Sequence, residues 1–160
     1  MKWVKQLFAA LCVFLAQFLL VDFLSINMIR PDFLVIYVFY ISLVYGKTTG
    51  IIIAFTIGLF SDLAGVGSYF GLAPLTLSIT AYLTGFLNGK YERFLPYVFH
   101  LCWLAIIGFH FFVISYVRFQ TLFVTDIFDF AIKWLMSFGY TMMFFLIIQY
   151  FFPVREASRA

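Results

Sequence analysis

Residues 31–64 read PDFLVIYVFYISLVYGKTTGIIIAFTIGLFSDLA, and the polar break in the middle of that apolar stretch decides the fold. Gly46-Lys47-Thr48-Thr49-Gly50 reads as a turn with a threonine placed to cap the helix that follows. On one side of it, Pro31 suits the first turn of a helix and Asp32 is favoured there by the helix dipole, so a span runs over 31–45. On the other side a span runs over 49–64, where Gly65 and Gly67 end it. Each is about 15 residues, roughly 23 Å at about 1.5 Å per residue. Fusing the two gives five spans in the whole chain instead of six.

Basic residues choose between those counts, because they concentrate in cytoplasmic loops. Working outward, the remaining apolar runs place spans at 6–26, 69–88, 95–117 and 126–152. With six spans, Lys2, Lys5, Lys47, Lys90, Arg93, Arg155 and Arg159 share one side, against Arg30, Arg118 and Lys133 on the other. With five, Lys47 is buried and the other nine divide four against five. Six spans with both termini cytoplasmic is the better reading. Lys2 and Lys5 before an apolar run resemble a secretory signal, but the run is long and no small-x-small cleavage site follows it. It reads as a retained first span.

Composition agrees. Hydrophobic residues are 65% and charged residues 11%, against roughly 45–50% and roughly 25% in soluble proteins, so lipid is the solvent that tolerates this surface. The expectation is an all-α membrane protein, a bundle of six transmembrane helices forming one integral-membrane domain over 1–160. A net charge of +3 is too small and too dispersed for a nucleic-acid partner.

Gly50, Ala54, Gly58 and Asp62 recur every four residues and form one stripe on a helix face. Small residues at that spacing let a second backbone approach closely, which is how membrane helices associate. The stripe serves packing within the chain or the docking of a partner's helix. Ala81, Gly85 and Gly89 make a related stripe in the following span. Asp62 and Asp22 are the acids inside or at the edge of spans, both near the outer face, where Arg30 is a candidate partner. An interfacial acid held by loop amides is the competing reading. Asp126 and Asp129 read as helix-terminal acids.

No enzyme is indicated. Cys12 and Cys102 lie far apart in apolar runs, and His100 and His110 fall on different faces of one span, so no metal set forms. Gly-x-Ser-x-Gly and Gly-x-Gly-Asp are absent, and Glu92 and Glu156 lie in polar stretches. No cofactor is expected; the 24 phenylalanines read as packing and lipid-facing mass.

Over residues 30–86 the sequence resembles the MreD family of rod-shape-determining membrane proteins. The resemblance rests on Arg30-Pro31-Asp32 opening a short span, Gly58 four residues before Asp62, Gly65 and Gly71 in the turn, Leu72, and the run Ser78-Ile79-Thr80-Ala81-Tyr82-Leu83. It covers roughly the central third, and the rest agrees in hydropathy. It implies a non-enzymatic scaffold of the bacterial cell-elongation complex in the inner membrane. The implied partners are an MreC-type bitopic protein, an MreB-type actin homologue and a RodA-type wall synthase with its transpeptidase. The implied fold is similar to the substrate-binding subunits of energy-coupling-factor transporters. Matching positions are Pro31, Asp32, Gly58, Asp62, Gly65 and Gly71, with Gly50 and Ala54 completing the packing or partner face and Asp22, Arg30 and Asp32 as outer polar contacts. The shared fold supplies an alternative, a vitamin-binding transporter subunit, although the first-span alanines Ala9, Ala10 and Ala16 are never four apart as its docking motif requires. An ion-coupled carrier using Asp22 and Asp62 is a third.

Overall fold

The computed structural model describes residues 2–20, 23–25, 29–65 and 69–157, and every regular element in them is a helix. In chain order these are α1 (Lys2–Leu20), α2 (Phe33–Leu63), α3 (Leu72–Gly85), α4 (Pro96–Arg118), α5 (Gln120–Thr125), α6 (Ile127–Phe151) and α7 (Val154–Ala157). By length and composition α2, α4 and α6 are long and apolar enough to cross a membrane, and α3 and residues 8–19 of α1 are shorter apolar helices. Large side chains such as Phe8, Ile52, Phe60, Leu101 and Leu146 stand more than half exposed on the outside of the bundle. In water that surface is untenable; in hydrocarbon it is solvated. The chain is an all-α membrane protein.

The expected turn over 46–50 is a break at one residue. Gly46 has φ 81° and ψ 177°, a conformation that a side chain disfavours, and helix resumes at Lys47. The two limbs of α2, 33–45 and 47–63, fold back on each other. A Cβ on Gly50 would stand 3.0 Å from Ser42 Cα, whereas eight residues of straight helix span about 12 Å. Breaking the helix orphans the last carbonyls of the first limb. Asn88 Nδ2 answers them, donating to the carbonyls of Leu43 and of Val44 (3.1 Å). No threonine cap is needed, and Thr48 and Thr49 are themselves helical.

Among the described helices, α2 packs most extensively on α3. Backbone contact explains it: a Cβ on Gly58 would lie 2.5 Å from Pro74 Cα, and one on Gly85 would collide with Lys47. At the centre, Phe39 of α2, Trp103 of α4 and Phe145 of α6 form a mutual ring cluster, with centroids 4.8–5.8 Å apart.

Helix ends correct the expected boundaries. Asp32 is the N-cap of α2 and not part of its first turn; its Oδ1 accepts from the Leu34 and Val35 amides at 3.0 and 3.1 Å. Asp126 caps α6 in the same way through Phe128 and Asp129. The loop after Arg118 contains the short helix α5. Pro153 ends α6 as its ring dictates, but the chain turns at once into α7 and buries Val154 fully.

The ends of the bundle differ in charge. Lys47 and Lys90 both lie over the Phe86 ring, 5.1 and 5.6 Å from its centroid, and Arg155 lies 5.8 Å from the Tyr91 ring centroid. Arg30, Asp32 and Arg118 gather at the opposite end.

Candidate functional site

Side chains from three other helices reach residues 31–33 at the start of α2, and a fourth helix stands behind them. From α1, buried Gln17 donates through Nε2 to the Pro31 carbonyl (3.2 Å) and accepts the Phe33 amide on Oε1 (2.7 Å). Helix α6 contributes Thr141, whose hydroxyl accepts the Asp32 amide at 3.1 Å. Helix α4 contributes His110, with Nε2 3.5 Å from Asp32 Oδ2. Helix α3 stands behind it, Thr80 Oγ1 lying 2.9 Å from His110 Nδ1 and 2.8 Å from the Thr76 carbonyl, to which it donates.

Each of these polar groups sits in an apolar helix for a reason that sequence order conceals. A helix that starts inside a bundle exposes amides with no partner of their own, and an unsatisfied buried polar group costs about 1–3 kcal/mol. Asp32 serves two of those amides from within its own segment, and Gln17 serves a third.

Beside this knot lies a cavity of about 90 Å³, lined by Arg30, Asp32, Ser61, Thr76, His110, Ser115, Arg118 and Ser137 among others. Arg118 feels the charges of both Arg30 and Asp32. His110 is buried, and its Nε2 has no hydrogen-bond partner.

A second concavity, of about 840 Å³, runs between α1, the first limb of α2 and the α6–α7 corner. Ala9, Val13 and Ala16 line one wall, Tyr37 and Tyr40 the second, and Ile148 and Phe152 the third. Tyr40 donates its hydroxyl to the Phe152 carbonyl at 2.8 Å, which ties the corner to α2.

Among the residues singled out from sequence, Gly50 lies against Ser42, Ala54 is fully buried, and Gly58 lies against Pro74. One stripe thus meets two different neighbours. Asp62 accepts the Gly71 amide on Oδ2 at 2.6 Å, closing the connection from α2 to α3, while its Oδ1 is buried without a partner. Gly65 and Gly71, at φ 72° and 91°, shape that connection. Arg30 and Asp32 come together at the cavity; Asp62 does not line it. Asp22 lies outside the described residues.

Sequence reading passed over Thr141, named Thr80 only within the run that carries the family resemblance, and took His110 only as lying on a different face from His100. Gln17 offered the one local signal, a lone amide in an apolar run. Among the described residues no three of His, Cys, Asp and Glu gather into a metal-binding group, and Cys12 and Cys102 are free thiols.

A family model described as rod shape-determining protein MreD matches residues 1–155. Neither the curated proteins nor the solved structures contain a match to the chain.

Proposed function

This chain belongs to the MreD family of rod shape-determining membrane proteins, and on that footing we propose that it is a non-enzymatic scaffold of the bacterial cell-elongation complex. In this reading it sits in the inner membrane with both termini cytoplasmic and holds the span of an MreC-type bitopic protein. Through that protein it organises lateral peptidoglycan synthesis with an MreB-type filament and a RodA-type synthase with its transpeptidase. The family match over nearly the whole chain carries the reading.

Support comes from which faces the chain already uses for its own packing. The Gly50 and Gly58 positions are occupied by the chain's own backbone. The groove walled by α1 and the α6–α7 corner is apolar and has small residues on one side, which suits a further helix. Ala16→Trp would fill it. In mild detergent, the parent chain is expected to recover the MreC-type protein and Ala16→Trp to lose it, while Leu101→Trp, on an exposed face of α4, keeps it. Equal recovery by both variants refutes the groove as the contact.

The alternative is a vitamin-binding transporter subunit. Ligand pockets of about 300–1,000 Å³ carry a few convergent polar groups; here the polar cavity holds about 90 Å³, and the groove of about 840 Å³ is lined mostly by apolar side chains. Depletion of the chain is therefore expected to round rod-shaped cells and leave vitamin uptake unchanged. Intact shape with loss of one vitamin's uptake would replace the scaffold by the transporter subunit.

A further inference from the structure

We propose that the outward face of α3, with Lys47 and Lys90 at its end, binds one anionic phospholipid, the phosphate on the lysines and an acyl chain along the helix. Leu75, Ile79, Tyr82 and Phe86 recur at helical spacing and share one face. All four are exposed, whereas Thr76, Leu77, Thr80, Ala81 and Thr84 on the other side of α3 are buried. Phe86, the C-cap, keeps right-handed helical angles, so the stripe runs unbroken to it. From Leu75 to Phe86 the rise is roughly 16 Å at about 1.5 Å per residue. Half of a hydrocarbon core about 30 Å thick is about 15 Å. The stripe is therefore as long as the acyl region of one leaflet.

It ends at positive charge. Lys47 Nζ and Lys90 Nζ stand 5.1 and 5.6 Å from the centroid of the Phe86 ring. The ring engages the side of each ammonium that faces it and leaves N–H donors on the side away from it. Among the described residues neither ammonium has a carboxylate partner. Two like charges at one ring repel each other, and an anion set on them offsets that repulsion. Backbone fixes both lysines. Lys47 packs on Gly85, which has no Cβ to hold it away. The Lys90 amide donates to the Leu87 carbonyl at 3.1 Å, and its carbonyl accepts the Arg93 amide at 3.0 Å. Cations at one end of an apolar track of leaflet length match a lipid with uncompensated negative charge. A zwitterionic lipid brings its own ammonium to the same place and gains less. At the opposite end of the bundle Lys133 stands over the Phe119 ring at 5.1 Å, a single ammonium on its ring and so a control. This inference is independent of which protein partner the chain holds.

The test uses the full chain, purified in mild detergent and stripped of lipid. Native mass spectrometry counts bound lipid as phosphatidylglycerol or phosphatidylcholine of equal chain length is added. The parent chain is expected to bind one phosphatidylglycerol in preference to phosphatidylcholine. A lysine near an anionic headgroup is worth about a factor of five, so Lys90→Gln should cut the preference about fivefold, and Lys47→Gln combined with Lys90→Gln about thirtyfold. Lys90→Arg and Lys133→Gln should keep it. Ile79→Ser should weaken both lipids alike, and glycerol phosphate, which has no acyl chain, should not bind. If the double variant does not fold, the comparison of Lys90→Gln with Lys90→Arg decides. Equal binding of the two lipids by the parent chain, an unchanged preference in Lys90→Gln, an equal loss in Lys133→Gln, or binding of glycerol phosphate as tight as that of phosphatidylglycerol overturns the proposal.

Discussion

Ser42 and Gly50 touch across the break in α2: the Cβ that Gly50 lacks would fall 3.0 Å from Ser42 Cα. Two helical limbs can approach that closely only where one side offers no side chain. The same condition recurs at Gly58 against Pro74, so the core of this membrane protein is assembled by backbone proximity as much as by its aromatic cluster.

The contact at Gly58 predicts a graded response. Gly58→Leu should lower stability by about 1–3 kcal/mol or more, the usual effect of overpacking, because the obstacle is Pro74 backbone and not a movable side chain. Phe55→Leu, on an exposed face of the same limb, should be nearly silent. Unfolding in detergent or bicelles measures both; equal effects would refute close packing on this face.

At Gly46 there is open space around the missing Cβ, so the effect of substitution is conformational alone. Gly46→Ala at φ 81° and ψ 177°, a region essentially reserved to glycine, should destabilise by about 1–3 kcal/mol, and Gly46→Asn by a similar amount. An unfolding midpoint of Gly46→Ala equal to that of the parent chain would mean that the limbs do not require this backbone geometry.

Gln17 supplies both a donor and an acceptor to the start of α2. Gln17→Leu leaves the Pro31 carbonyl and the Phe33 amide unsatisfied and should destabilise by about 1–3 kcal/mol. Its neighbour Phe18 is half exposed, and Phe18→Leu should change little. A stable Gln17→Leu would show that this clamp contributes nothing net.

Topology follows from the charge division of seven basic residues against three. A reporter fused after Arg159 should report the cytoplasm, and one inserted near Thr121 the periplasm. The same compartment from both would refute the six-span plan and the orientation proposed with it.

Much of the architecture was legible without coordinates. Composition alone places the chain in lipid, because 65% hydrophobic residues cannot be hidden in a soluble domain of this length. Asp126 as a cap and Pro153 as a stop depend on their own backbone chemistry and their immediate neighbours. The break near Gly46 was visible for the same reason. Its extent was not, since the Asn88 amide that completes the first limb comes from 44 residues downstream.

The residues around Asp32 belong to the other category. Gln17, Thr80, His110 and Thr141 share no motif and no spacing, and the four lie on four different helices. Periodicity reports which residues of one helix share a face, but it is silent on which face of which other helix stands opposite. A stripe of small residues therefore announced close approach, and only packing decided that Gly50 meets the first limb of α2 while Gly58 meets α3. Sequence determined the solvent, the all-helical class and such local features as the Asp126 cap and the Pro153 stop, because those depend on local chemistry. Tertiary structure decided the polar knot and the cavity beside it, because a buried polar group is satisfied by whatever donor or acceptor the fold brings within about 3 Å, however distant it is along the chain.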